Sequence, residues 1–171
     1  MAKGLKILLI GMLTSFLTSC NGYPRLLNFP FEPGGRGLNS FASELTPQVT
    51  ASYIVFVSDR NGSQDIYLFD AQKRQLIALP GLNSLDEVAS DPSISEDGRY
   101  LVFAMSRQGK SNIYLYDRQT QQKRSLTDNL QAEVRNPVIN ANGDRIAFEI
   151  AQDGQWDIMV YDRSGNPITT F

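Results

Sequence analysis

Tyr100-Leu-Val-Phe-Ala-Met-Ser-Arg-Gln-Gly-Lys-Ser-Asn-Ile-Tyr-Leu-Tyr-Asp117 is one of three versions of the same segment in this chain. Tyr53-Ile-Val-Phe-Val-Ser-Asp-Arg-Asn-Gly-Ser-Gln-Asp-Ile-Tyr-Leu-Phe-Asp70 precedes it by 47 residues, and Arg145-Ile-Ala-Phe-Glu-Ile-Ala-Gln-Asp-Gly-Gln-Trp-Asp-Ile-Met-Val-Tyr-Asp162 follows by 45. Phe56, Phe103 and Phe148 coincide, as do Gly62, Gly109 and Gly154, and Asp70, Asp117 and Asp162. The second and third versions also share an upstream half, Asp91-Pro-Ser-Ile-Ser-Glu-Asp-Gly98 against Asn136-Pro-Val-Ile-Asn-Ala-Asn-Gly143. Asp97-Gly98 and Asn142-Gly143 are hairpin dipeptides, because such turns need a positive φ that these residues reach cheaply. Pro92 and Pro137 are expected to hold the residue before them extended, at the entry to a first strand.

The runs Tyr100 to Met105 and Ile113 to Tyr116 are nearly continuous in apolar residues. A strand with one wet face would alternate, so both faces of these strands are expected to be covered. Gly109 and Gly154 turn the chain between the two strands. A shorter, more polar fourth strand is predicted at Leu76–Leu79, Lys123–Thr127 and Ile168–Phe171, at an outer edge where polarity discourages unwanted pairing. A period near 45 residues with four strands per unit matches the blades of a propeller. The expected fold is all-β: three four-stranded blades at about 46–85, 86–130 and 131–171. Leu45–Ser52 lacks an Asp-Gly turn, so the first blade is expected to be incomplete, its opening strand shortened or missing.

Pro92-Ser-Ile-Ser-Glu-Asp-Gly98, Tyr100-Leu-Val-Phe103, Asn112-Ile-Tyr-Leu-Tyr-Asp117 and Ser125-Leu-Thr127 together resemble the WD40-like repeat of TolB-type β-propellers. Ser58-Asp-Arg-Asn-Gly62 followed by Asp65-Ile-Tyr67 resembles it as well, and the resemblance runs from about Thr46 to Phe171. It implies a periplasmic protein of the cell envelope, in a family that sets an extra N-terminal domain before six blades. This chain differs by having half that number of blades and by offering only residues 20–45 ahead of them. A Tol-system role is therefore not part of what the resemblance implies here.

Lys3 and Lys6 precede the apolar run Ile7–Leu13, and Leu17-Thr-Ser-Cys20 closes the segment with small residues. That order is a secretory signal, too short for a membrane span of about 20 apolar residues. The last four residues resemble the bacterial lipobox, which implies removal of residues 1–19 and lipid attachment at Cys20. Cys20 is the sole cysteine, so no internal disulfide competes for it. The alternative is an ordinary secreted chain whose cysteine lies near the cleavage site. Residues 20–45 are rich in Pro and Gly and are expected to be a tether, the alternative being that Tyr23–Phe41 folds back over an open blade face. Three blades leave two apolar faces uncovered, and two copies forming a six-bladed ring would cover both; a fragment of a longer propeller is the other reading.

The chain carries 16 basic and 18 acidic residues, and loss of Lys3 and Lys6 leaves the mature form near −4. Nothing in that balance suits a phosphate backbone, so no nucleic-acid partner is expected. The absence of histidine removes Ser-His-Asp and Cys-His activation and imidazole metal sites. No catalytic residue, metal site or cofactor is expected, although carboxylate chemistry stays open in principle. Asp70, Asp117 and Asp162 read as turn residues accepting backbone hydrogen bonds, since architecture recurs in each repeat. Trp156, where the other copies have Gln64 and Ser111, is either a partner anchor or a cover for a blade edge. The expected function is a lipid-anchored, non-catalytic module on the periplasmic side of the envelope that binds envelope proteins. The alternatives are a carbohydrate-binding or polysaccharide-processing accessory and a structural repeat without a ligand.

Overall fold

Short turns of Gly, Asn and Asp between apolar runs leave each run one easy partner, the strand beside it, so every repeat folds as an up-and-down antiparallel sheet. The computed structural model describes residues 34–168. The first sheet is ordered β1 (Glu44–Val49), β2 (Tyr53–Ser58), β3 (Asp65–Asp70), β4 (Gln75–Ile77). The second is β5 (Val88–Ile94), β6 (Tyr100–Arg107), β7 (Lys110–Asp117), β8 (Gln122–Ser125). The third contains β9 (Val134–Ile139), β10 (Arg145–Gln152) and β11 (Gln155–Asp162). Each sheet is one blade, and no helix occurs among the described residues.

The blades stack through two apolar layers. Val55, Val57, Ile66 and Leu68 of the first blade meet Leu101, Phe103, Met105 and Tyr116 of the second. Tyr100, Val102, Ile113 and Leu115 on the opposite face of the second blade meet Ile146, Phe148, Ile150 and Tyr161 of the third. The middle blade is thus covered on both sides, which is why Tyr100 to Met105 is buried without a break. Removing each large side chain from water contributes about 1.5–3 kcal/mol, so these layers dominate the stability of the stack. In β10 burial alternates instead: Ile146, Phe148 and Ile150 face inward, whereas Arg145, Ala147 and Glu149 face away from the stack.

Three expectations change. The first blade is complete, because Thr46-Pro47 stands where Asp91-Pro92 and Asn136-Pro137 stand in the others, and the Thr50 hydroxyl accepts the Tyr53 N–H at 3.1 Å to make a tighter turn without Asp-Gly. The residues before these prolines are not extended: Thr46, Asp91 and Asn136 have φ of 44°, 49° and 51°. Each X-Pro pair is a β-bulge in which two residues oppose one, Phe56, Phe103 or Phe148, and the bulge outweighs the usual preference before proline. The third sheet has three strands among the described residues. Its fourth is begun by a bridge from Tyr161 to Pro167 and by the Ile168 N–H donating to the Val160 carbonyl at 2.7 Å. Residues 169–171 of the predicted strand lie outside the described residues, as do residues 1–19 and Cys20.

Part of the Pro/Gly-rich stretch is held against the first blade. Arg60, with 6% of its side chain exposed, donates to the carbonyls of Gly35, Gly37 and Leu38 at 2.9–3.0 Å. It also pairs with Glu44 at 2.8 Å and lies over the rings of Phe56 and Tyr67. A guanidinium satisfied on all sides in this way is a structural hub, not the solvated turn residue its sequence context suggests.

Candidate functional site

The three bulges bring their X-Pro dipeptides to one place. β1, β5 and β9 stand side by side as the opening strands of successive blades, the position that lines the axis of a propeller. Thr46-Pro47, Asp91-Pro92 and Asn136-Pro137 line a shared concavity of about 240 Å³, together with Gln48, Ser93 and Val138. The left-handed residues of the bulges, Thr46, Asp91 and Asn136, bring a hydroxyl, a carboxylate and an amide to this lining, and the Asn136 amide also donates to Glu149 at 2.9 Å. Proline beside each one removes an N–H that would otherwise need a partner.

The same strands are laced together at the concavity's floor. Gln48 Oε1 accepts the Ile94 N–H at 2.7 Å, and Ser93 Oγ accepts the Ile139 N–H at 3.0 Å. Val138 holds the equivalent place in the third blade and has no acceptor to offer. A second device recurs farther out. Tyr53 packs on Gly98 of the next blade and Tyr100 on Gly143, where a Cβ would come within 2.3 and 2.6 Å of the rings. Arg118 and Arg163 then cover those rings at 5.2 and 4.5 Å, and Arg118 also donates to the Gly98 carbonyl. The third blade has Arg145 where Tyr53 and Tyr100 stand.

Asp70, Asp117 and Asp162 do not converge on the concavity. Asp70 Oδ1 accepts the N–H groups of Gln72 and Lys73, Asp117 accepts Gln119 N–H and both arms of Arg99, and Asp162 accepts Asn166. These contacts hold all three carboxyls below the usual range, led by the Lys73 N–H at Asp70, by Arg99 at Asp117 and by the Asn166 N–H at Asp162. They are turn-closing residues.

Trp156 lies on the outer face of the third blade, with 39% of its surface exposed. The Arg135 guanidinium sits 3.7 Å from its ring centroid and is itself paired with Glu149 at 2.7 Å, while Asn136 Nδ2 donates to the other Glu149 oxygen. Trp156 is therefore half covered by charge and half open. Among the described residues no group of three or more Asp, Glu, Cys or His side chains is placed to hold a metal ion. The sequence reads Asp91 and Asn136 only as the start of a strand and hairpin and does not single out Thr46, though an X-Pro pair at an interval of 45 residues marks all three.

No family model and no curated protein matches this sequence. Solved structures do match. A putative TolB from Agrobacterium tumefaciens is 19% identical, with 70% of this chain and 43% of that one covered at a TM-score of 0.55. The β-propeller domain of the trilobed protease from Pyrococcus furiosus, described as having an open velcro topology, is 16% identical over 75% of this chain and 42% of its own, at 0.57. An acylaminoacyl peptidase from Pyrococcus horikoshii is 18% identical over 77% of this chain and 25% of its own, at 0.52. The chain spans less than half the length of each. At such identities the likeness speaks for the fold, and the chain folds as a partial, three-bladed TolB-like β-propeller.

Proposed function

We propose that this chain is a non-catalytic protein-binding propeller of the cell envelope, lipid-anchored through Cys20 on the periplasmic side. The observation that carries the binding reading is the concavity on β1, β5 and β9. Its walls are backbone bulges, prolines and short polar groups of three chemical kinds, a surface suited to the amides of an extended polypeptide. Fold likeness to TolB supports the envelope setting by analogy, and the lipobox-like end of the leader supports the anchor. The protease propellers among the similar structures are compatible with a binding domain that works for a separate catalytic one.

A photocrosslinking amino acid in place of Asn136, in the full chain expressed with its leader, tests this. A discrete polypeptide adduct in envelope fractions, lost on Asp91→Arg, is the expected result. Recovery of glycan adducts alone would instead favour the carbohydrate reading. Fatty-acid labelling present in the native chain and absent from Cys20→Ala reads out the anchor separately.

A further inference from the structure

Arg99, Arg124 and Arg163 gather where the second blade meets the third. The guanidinium of Arg99 lies 4.7 Å from the centroid of the Tyr100 ring, and that of Arg163 lies 4.5 Å from it. Arg124, on the outer strand β8, donates to the carbonyls of Arg163 and Ser164. Arg124 and Arg163 line a pocket of about 240 Å³ over the buried Tyr100 and Leu115, with Thr120, Gln122 and Ser164 at its mouth.

The charges of this pocket do not balance. Among the described residues its one lining carboxylate is Asp117, which already accepts from Arg99 Nε and Nη2 at 3.0 and 2.8 Å. Arg124 gives its donors to neutral carbonyls, and the Arg163 guanidinium donates to no acceptor among the described residues. Two positive charges are thus left without an ion-pair partner, in a chain whose net charge is −2. The junction of the first two blades has no such surplus. Ser52 and Ile77 hold the places of Arg99 and Arg124 there, and Arg118, the equivalent of Arg163, donates to the Gly98 carbonyl. Neither end of the described chain leads to the pocket. Gly35 is held by Arg60 on the first blade, and the strand begun at Pro167 and Ile168 runs along β11 away from the turn that carries Ser164.

We infer that this pocket binds a phosphate monoester carried on a small polyol. Such a group has a charge of about −1.5 to −2 at pH 7, which matches the two unpaired guanidiniums. The planar fork of Arg163 is the donor for its oxygens, and Arg124 adds charge while keeping its carbonyl contacts. Thr120, Gln122 and Ser164 offer hydroxyl and amide groups to the hydroxyls of the carrier. A pocket of about 240 Å³ is smaller than the roughly 300–1,000 Å³ that take drug-sized ligands, so the carrier is a few carbons long. The site is separate from the bulge-lined concavity on β1, β5 and β9, and either can fail without the other.

The probes are glycerol phosphate and inorganic phosphate, each titrated against the purified full chain at fixed ionic strength while the phosphorus NMR line is followed. The expected result is saturable binding of both, tighter for glycerol phosphate, and weaker by about tenfold or more in Arg163→Gln. Arg163 also covers Tyr100, so a second variant leaves the junction alone. Thr120 is exposed in the turn after β7, and Thr120→Asp sets a negative charge at the pocket mouth. It should weaken binding by a similar factor while far-ultraviolet circular dichroism stays native, and it decides the matter should Arg163→Gln not fold. Four outcomes would each overturn the inference: no saturable response at millimolar probe, equal affinity for the two probes, undiminished binding in Thr120→Asp, or displacement by chloride at constant ionic strength.

Discussion

Gly98 and Gly109 both adopt a positive φ, 70° and 79°, yet their surroundings differ. A Cβ on Gly98 would lie 2.3 Å from the Tyr53 ring, itself capped by Arg118, whereas a Cβ on Gly109 meets nothing within 4 Å. Gly109→Ala should therefore lose only the backbone term, about 1–2 kcal/mol. Gly98→Ala adds the displacement of a ring at the junction of two blades and should cost about 1–3 kcal/mol more. Urea unfolding midpoints of the two variants check this, and equal losses would refute the close-contact argument. Asp-Gly and Asn-Gly are legible as turns in the sequence for their φ alone. The second reason for these glycines, a tyrosine from the preceding blade, belongs to contacts spanning 45 residues at Gly98 and 43 at Gly143, which local turn chemistry does not encode. Arg60 was illegible for the same cause: its burial depends on carbonyls of residues 35–38, and a turn arginine reads as solvated until those are placed.

At the scale of strands, periodicity carried most of the fold, because every blade repeats the same apolar faces. The opening strand of the first blade carries no Asp-Gly turn, and its mark in the sequence is the X-Pro pair Thr46-Pro47. The concavity is not legible in the sequence, since a bulge reveals itself through pairing register and not through hydrophobic alternation. The ends of β3 and β7 and the end of β11 share a further property that can be measured. Asp70, Asp117 and Asp162 all have carboxyl groups held below the ordinary range, led at Asp117 by the Arg99 side chain and at Asp70 and Asp162 by N–H groups of the turns they close. A carboxylate depressed in the folded state adds stability above its unfolded value, near pH 4, and forfeits it as pH falls through the lower folded value. Asp65, raised by burial, acts in the opposite sense, since its ionised form is disfavoured in the folded state and relieved by acid. Asp117→Asn should thus destabilise by about 1 kcal/mol at pH 7, the worth of a partly exposed Arg99 pair. The gap between variant and native protein should close between pH 4 and pH 2. Denaturant titrations across that range test the sign; a gap that persists at pH 2 would mean that the loss is one of packing and not of charge.

For the whole molecule the question is what meets the two end faces of the stack. A six-bladed ring of two copies would set the outer face of the third blade against the leading face of the first. The interior junctions show what such a meeting uses: an acceptor at Gln48 or Ser93, a tyrosine at position 53 or 100, and on the receiving side a turn glycine with an arginine over the ring. The third blade offers Val138 and Arg145 instead, and the first blade receives with Ala71 where Arg118 and Arg163 stand and with a turn that has no glycine. Its leading face is moreover already buried at Phe56, with Arg60 laid over the rings of Phe56 and Tyr67. On the outer face of the third blade, Glu149 occupies the place of Val57 and Ala104 and is bound to Arg135 and Asn136. Burying that ion pair against an unmatched surface would forgo solvation that the contact does not replace. Self-association by these faces lacks both halves of the interior lock, so the full chain should sediment as a monomer whose mass does not change with concentration. A monomer–dimer equilibrium that shifts toward monomer on Ile158→Glu, and is unmoved by salt, would show instead that the apolar part of the outer face is enough to close a ring.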